Sequence, residues 1–179
     1  MPTFVALLRG VNVGKAKRVP MAELRALLGD LGYTGVSTLL NSGNAVFSAT
    51  KGTPAKYAAE IADAIATKLK VEVPVIVKSA QDLAAIVAEN SLAKKAPDHS
   101  RLLVAFVQDA KALAGLSAIA PLVLPPEQYV IGKHAAYLHC AAGILESKAG
   151  KALLGHTSAT TRNWTTVLKL SALANEAVD

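Results

Sequence analysis

The chain has 179 residues, 52% of them hydrophobic and 18% charged, so it carries enough apolar surface to offset chain entropy and falls outside the disordered class. Its single cysteine, Cys140, excludes an internal disulfide framework and points to a reducing, cytoplasmic setting. The formal net charge of +6 favours encounters with phosphates, nucleic acid or acidic surfaces.

Thr3 to Leu8 reads as a buried strand, too short for a signal-peptide core and cut off by Arg9. A basic stretch follows, in which Arg9, Lys15, Lys17 and Arg18 have no acidic residue among them. Pro20 suits a first helical turn, Met21, Leu24, Leu27, Leu28 and Leu31 recur at helical spacing, and Gly32 offers a left-handed stop. Residues 36–40 and 45–48 form a predicted hairpin across Asn41-Ser42-Gly43-Asn44, residue types that tolerate the positive φ of a tight turn. Thr53 before Pro54 opens a second helix carrying Tyr57, Ile61, Ile65 and Leu69, which leads into a strand over 73–77. A third helix is capped by Ser79, with Asp82 in the capping-box place and Leu83, Ile86 and Val87 inward.

Hydrophobicity then drops, which divides the chain into a half over 1–90, a linker over 91–100 and a half over 101–179. The second half starts again with an apolar strand over 102–107, an Asp109-capped helix with Leu113, Leu116 and Ile119, and a hairpin of 129–131 with 135–140 across Gly132-Lys133. The apolar stretch over 112–126 contains three prolines and falls short of the roughly 20 apolar residues of a membrane span. Helices over 147–154 and from Trp164 to about residue 174 end the chain, with 155–161 as their connector. On the last one, Trp164, Val167 and Leu168 are predicted to share the inner face. The repeated order gives an α+β fold of two ferredoxin-like halves of βαββα type, each an antiparallel sheet with helices on one face, plus an added C-terminal helix.

Four segments resemble a known family: Leu7-Leu8-Arg9-Gly10-Val11-Asn12-Val13-Gly14-Lys15, Met21-Ala22-Glu23-Leu24-Arg25, Asn41-Ser42-Gly43-Asn44-Ala45-Val46-Phe47 and Arg162-Asn163-Trp164-Thr165-Thr166-Val167-Leu168-Lys169-Leu170. They look like those of the bacterial domain of unknown function 1697, over nearly the whole chain. The resemblance implies a soluble α+β protein with two related ferredoxin-like halves and brings no catalytic residues with it.

The first segment is not a mononucleotide P-loop, because three residues rather than four separate Gly10 from Gly14 and Ala16 stands where a Ser or Thr is required. Nor do its glycines give the dinucleotide turn. Two readings remain for these polar segments. In one, Arg9, Asn12, Lys15 and Lys17, with Ser42 and Asn44 of the turn, join Arg162, Asn163 and Lys169 at a helix start in an anion cradle, where free N–H groups and the helix dipole favour negative charge. In the other, glycines turn the loop, Asn163 or Thr161 caps the helix, and the cations are ordinary surface charges.

The four histidines lack metal-ligand spacing, Cys140 has no partnered histidine, and no carboxylate pair stands out, so the sequence calls for no metal or cofactor. The favoured class is a binding module for a phosphorylated or nucleotide-like small anion. The alternatives are a nucleic-acid-binding protein and an enzyme on a phosphorylated substrate.

Overall fold

The computed structural model describes residues 1–13 and 17–178. Two βαββαβ runs follow one another. The first consists of β1 (Thr3–Leu8), α1 (Met21–Asp30), β2 (Thr34–Leu39), β3 (Asn44–Ser48), α2 (Pro54–Leu69) and β4 (Val75–Ser79). After α3 (Ala80–Glu89), the second consists of β5 (Leu102–Phe106), α4 (Ala110–Gly115), β6 (Gln128–Ile131), β7 (Ala136–His139), α5 (Lys148–Leu154) and β8 (Thr160–Asn163), and α6 (Trp164–Val178) closes the chain. The antiparallel sheets have the orders β2-β3-β1-β4 and β6-β7-β5-β8, so both halves share one ferredoxin-like topology. Two compact units result, Met1–Leu83 with Leu170–Asp179, and Ala84–Lys169.

In the first unit every residue of β1 is buried, as a central strand of apolar residues should be. Phe4, Ala6 and Leu8 share a face and pack with Leu24, Leu28, Ile61 and Ile65 of the two helices. Each of the leucine, isoleucine and phenylalanine side chains among them contributes roughly 1.5–3 kcal/mol on leaving water. Four rings knit this core: Tyr33 stacks on Phe47 with centroids 4.5 Å apart, and Phe4 meets Tyr57 edge-on at 4.9 Å. α2 is the best specified element, with Thr53 accepting from the Lys56 N–H at 3.2 Å, Pro54 in its first turn, and a buried Tyr57–Ile61–Ile65 stripe. Strand β2 lies at the sheet edge and carries a bulge between Thr34 and Ser37, where Gly35 has φ +58°.

In the second unit Leu103 and Ala105 pack with Leu113, Leu116, Ile119 and Leu153. The opposite face of β5 is buried too. There Val104 lies between Tyr137 of β7 and Arg162 of β8, and the Tyr137 hydroxyl reaches across to donate to the Ile86 carbonyl of α3 at 2.7 Å.

The structure corrects three local expectations. Residues 160–163 form β8 rather than the end of a connector, so each half has four strands. Thr-Thr-Arg-Asn offers no apolar alternation to read, and only pairing with β5 organises it. Strand β4 begins at Val75 rather than at residue 73, after Pro74, which has no N–H for a ladder. On α6 the buried stripe is Trp164, Val167, Leu170 and Ala174, while Leu168 is exposed, because spacings of three, three and four keep to one side of a helix.

Candidate functional site

The polar segment after β1 is braced by one side chain. Asn12 sits at φ +57°, a left-handed conformation asparagine tolerates better than most residues. Its Nδ2 donates to the carbonyls of Val19 at 2.9 Å and Asn41 at 2.7 Å, and its Oδ1 accepts from the Val19 N–H at 2.9 Å. The Asn12 N–H also donates to the Lys17 carbonyl at 3.0 Å. The loop is thereby closed on itself and tied to the β2–β3 turn. That turn is equally constrained: the carbonyl of Gly43, a residue at φ +90°, accepts from the Leu8 N–H at 2.8 Å, and a Cβ on Gly43 would lie 2.6 Å from Leu8 Cβ. Asn44 is fully buried and its Nδ2 donates to the Leu39 carbonyl and to Ser42 Oγ, both at 2.9 Å.

These bonds bring Arg9, Asn12 and Lys17 to the same end of the first sheet as Ser42 and Asn44. Asn12 and Asn44 spend their amides as braces, whereas Lys17, at φ +49°, and Arg18 are exposed. Arg9 is half-buried, its N–H donates to the Pro74 carbonyl at 3.0 Å, and its Nε is buried with no hydrogen-bond partner among the described residues. Beside Pro74 and Lys17 opens a cavity of about 360 Å³, also lined by Asp63, Glu72 and Val73. Lys15 lies outside the described residues.

The other three candidates belong to the second unit. Arg162 is a strand residue and is 7% exposed; its Nη1 donates to Thr160 Oγ1 at 3.0 Å and to the Thr161 carbonyl at 2.8 Å. Burial disfavours its charged form and lowers its pKa to about 10. Asn163 caps α6, its Oδ1 accepting from the Thr166 N–H at 2.9 Å. Lys169 is exposed on that helix, whereas Thr166 is buried.

A carboxylate-binding turn in the second unit escaped the sequence reading. Glu89, the last residue of α3, accepts from three successive N–H groups, those of Lys133 at 3.0 Å and of His134 and Ala135 at 3.2 Å, and from the Tyr137 hydroxyl at 2.7 Å. Gly132 is required there, since a Cβ would collide with the carboxylate. Desolvation alone would raise the Glu89 pKa, but the Tyr137 hydroxyl and the three amides outweigh it and hold it below the ordinary glutamate value. The only sequence signal was the glycine of the predicted turn, which does not reveal a partner more than 40 residues away.

Among the described residues no group of three or more His, Cys, Asp or Glu is placed to hold a metal ion, and no helix is long and apolar enough to cross a membrane. A model of the family described as "Protein of unknown function (DUF1697)" matches residues 1–137. Among solved structures, the conserved bacterial protein SP0830 from Streptococcus pneumoniae superposes with a TM-score of 0.80 at 25% identity, over 97% of this chain and 98% of that one. No curated protein matches the chain.

Proposed function

The chain belongs to the DUF1697 family of proteins of unknown function, and we propose that it acts as a binding module for a small phosphorylated or nucleotide-like anion. The observation that carries this reading is the braced basic loop of the first unit, in which Arg9 keeps a buried Nε–H without a partner among the described residues while Lys17 and Arg18 stand exposed nearby in the chain. An unmet buried donor costs about 1–3 kcal/mol, and a phosphate oxygen is a strong acceptor for a guanidinium fork. The braces matter as much as the charges, because a loop already closed by Asn12 loses little further entropy on binding.

A nucleic-acid ligand is the second reading, supported by the net charge of +6. It is the weaker of the two. Phe4, Tyr33, Phe47, Tyr57, Phe106, Tyr137 and Trp164 are all buried, which removes those rings as platforms on which exposed bases could stack.

The test is a thermal-shift and calorimetric panel of nucleotides, sugar phosphates, inorganic phosphate and short single strands at low salt. Binding of one phosphorylated chemistry at about a hundred times its Kd should raise Tm by roughly 2–4 °C, and Arg9→Ala with Lys17→Ala should abolish the rise. A rise with single strands only, falling steeply with salt, would favour the second reading. A flat panel would sink both.

A further inference from the structure

A second site lies at the opposite end of the first sheet, where β1 begins and β3 ends. There the residues around the start of α2 enclose a cavity of about 210 Å³ lined by Lys51, Lys56, Tyr57, Tyr33 and Glu60. Against the roughly 30 Å³ that one water occupies in the liquid, this is room for a small organic molecule.

Three independent features set it apart from an ordinary surface dent. Tyr57 is only 3% exposed, and its hydroxyl is buried with no hydrogen-bond partner among the described residues, a state in which few buried polar groups are left. Lys51, an exposed lysine, is held at φ +71°, a left-handed conformation that a long L side chain seldom adopts. Next to it Gly52 leaves room for the phenol, since a Cβ at that position would lie 2.8 Å from the Tyr57 hydroxyl and 2.6 Å from Cζ.

The charges select the guest. Lys51 and Lys56 are exposed cations, and the first turn of α2 adds its positive end. Opposing them, Glu60 is a single carboxylate, engaged by the Tyr33 hydroxyl at 2.7 Å. Two positive charges and one negative leave room for one further negative charge, and the orphan Tyr57 hydroxyl supplies a neutral donor. A carboxylate meets both demands, with one oxygen for the phenol and one for a lysine. A dianionic phosphate would instead place a second charge against Glu60.

We propose that this cavity binds a small monocarboxylate, held by Tyr57, Lys51 and Lys56. The experiment is an NMR titration of the intact chain with acetate, propionate and butyrate at constant ionic strength, with inorganic phosphate and chloride as comparison ions. Amides over 50–57 should shift saturably with the carboxylates. Tyr57→Phe, which keeps the ring, should weaken that binding by about tenfold, and Lys51→Ala should do likewise, whereas Arg9→Ala should leave it unchanged. Shifts that grow linearly and equally with every anion would overturn the proposal, as would an affinity untouched by both Tyr57→Phe and Lys51→Ala.

Discussion

The one proton of the Tyr137 hydroxyl is shared between Glu89 Oε2 and the Ile86 carbonyl, each 2.7 Å from the phenol oxygen, so one buried phenol ties the end of α3 to the β6–β7 hairpin. Glu89 returns the tie by accepting the three N–H groups that follow Gly132. A carboxylate so placed works as a latch whose strength depends on its charge.

Glu89→Gln should therefore lower unfolding free energy by about 1–2 kcal/mol in urea denaturation at neutral pH, because the amide keeps one acceptor and loses the charge. Gly132→Ala should cost a similar amount by expelling the carboxylate. The double variant should be no worse than about the larger single one, since both remove the same contact. Additive costs would show that the turn and the carboxylate act separately.

The same latch makes a pH prediction. Because the Glu89 pKa is lowered in the folded chain, its contribution is fully present above the ordinary glutamate pKa of about 4.3 and is lost as pH falls through the lower folded value. The stability difference between the native chain and Glu89→Gln should be constant from neutral pH to about 5 and shrink in more acidic solution. A difference that persists unchanged at the acid end would mean that charge plays no part in the latch.

Asn12→Ala removes three side-chain hydrogen bonds and places alanine at φ +57°, whereas Asn12→Gly removes the bonds and keeps the conformational freedom. The alanine variant should lose about 2–3 kcal/mol and the glycine variant about 1 kcal/mol less. Thermal denaturation of the two side by side separates backbone strain from hydrogen bonding. If Arg9 and Lys17 bind an anion, both variants should also bind it less tightly, through loss of loop order.

Arg162→Ala tests packing before it tests binding. Deleting a side chain that is 7% exposed and hydrogen-bonded to Thr160 should cost about 3 kcal/mol or more in chemical denaturation. A marginal cost would show that the site refills easily. Arg162→Lys is accordingly the better variant for ligand assays, since it keeps charge and most of the volume while removing the planar fork.

Cys140 should behave as a reporter of unfolding. It is fully buried, and burial, partly offset by Ser147, pushes its thiol pKa up, so thiolate is scarce near neutral pH. Alkylation should be slow in buffer and fast in denaturant, with a midpoint that tracks the loss of helix by circular dichroism. Rapid labelling of the native chain would place the thiol in a locally opening segment.

Much of the fold was legible because punctuation and periodicity agreed. Thr53-Pro54 with a four-residue apolar repeat marks α2, Asp109 caps α4 by accepting from the Ala112 N–H at 2.8 Å, and Ser79 does the same for α3 at 3.0 Å. The family was legible from the residues of four segments, and the family match over residues 1–137 takes in the first three of them, while Arg162 to Leu170 lies beyond it. Strand β8 was hidden because a polar four-residue edge takes its identity from its neighbour rather than from its own pattern. The roles of individual polar residues were hidden for a related reason. Asn12 and Asn44 read alike in sequence as candidates for an anion cradle, and only the carbonyls they reach across the loop, at Asn41, Val19 and Leu39, show that both are braces. Tyr57 read as one apolar position in a helical stripe, and nothing local could say that its hydroxyl has no partner among the described residues.

The bulge in β2 bears on what happens while the chain is still incomplete. An outer strand with free amides is a template onto which a neighbouring molecule can add its own strand. At Gly35 the left-handed backbone breaks the regular spacing of those amides, so an incoming straight strand can match the stretch before the irregularity or the stretch after it but not both. The first sheet thus carries its own guard against polymerisation, at the edge where a newly folded half is most open to it.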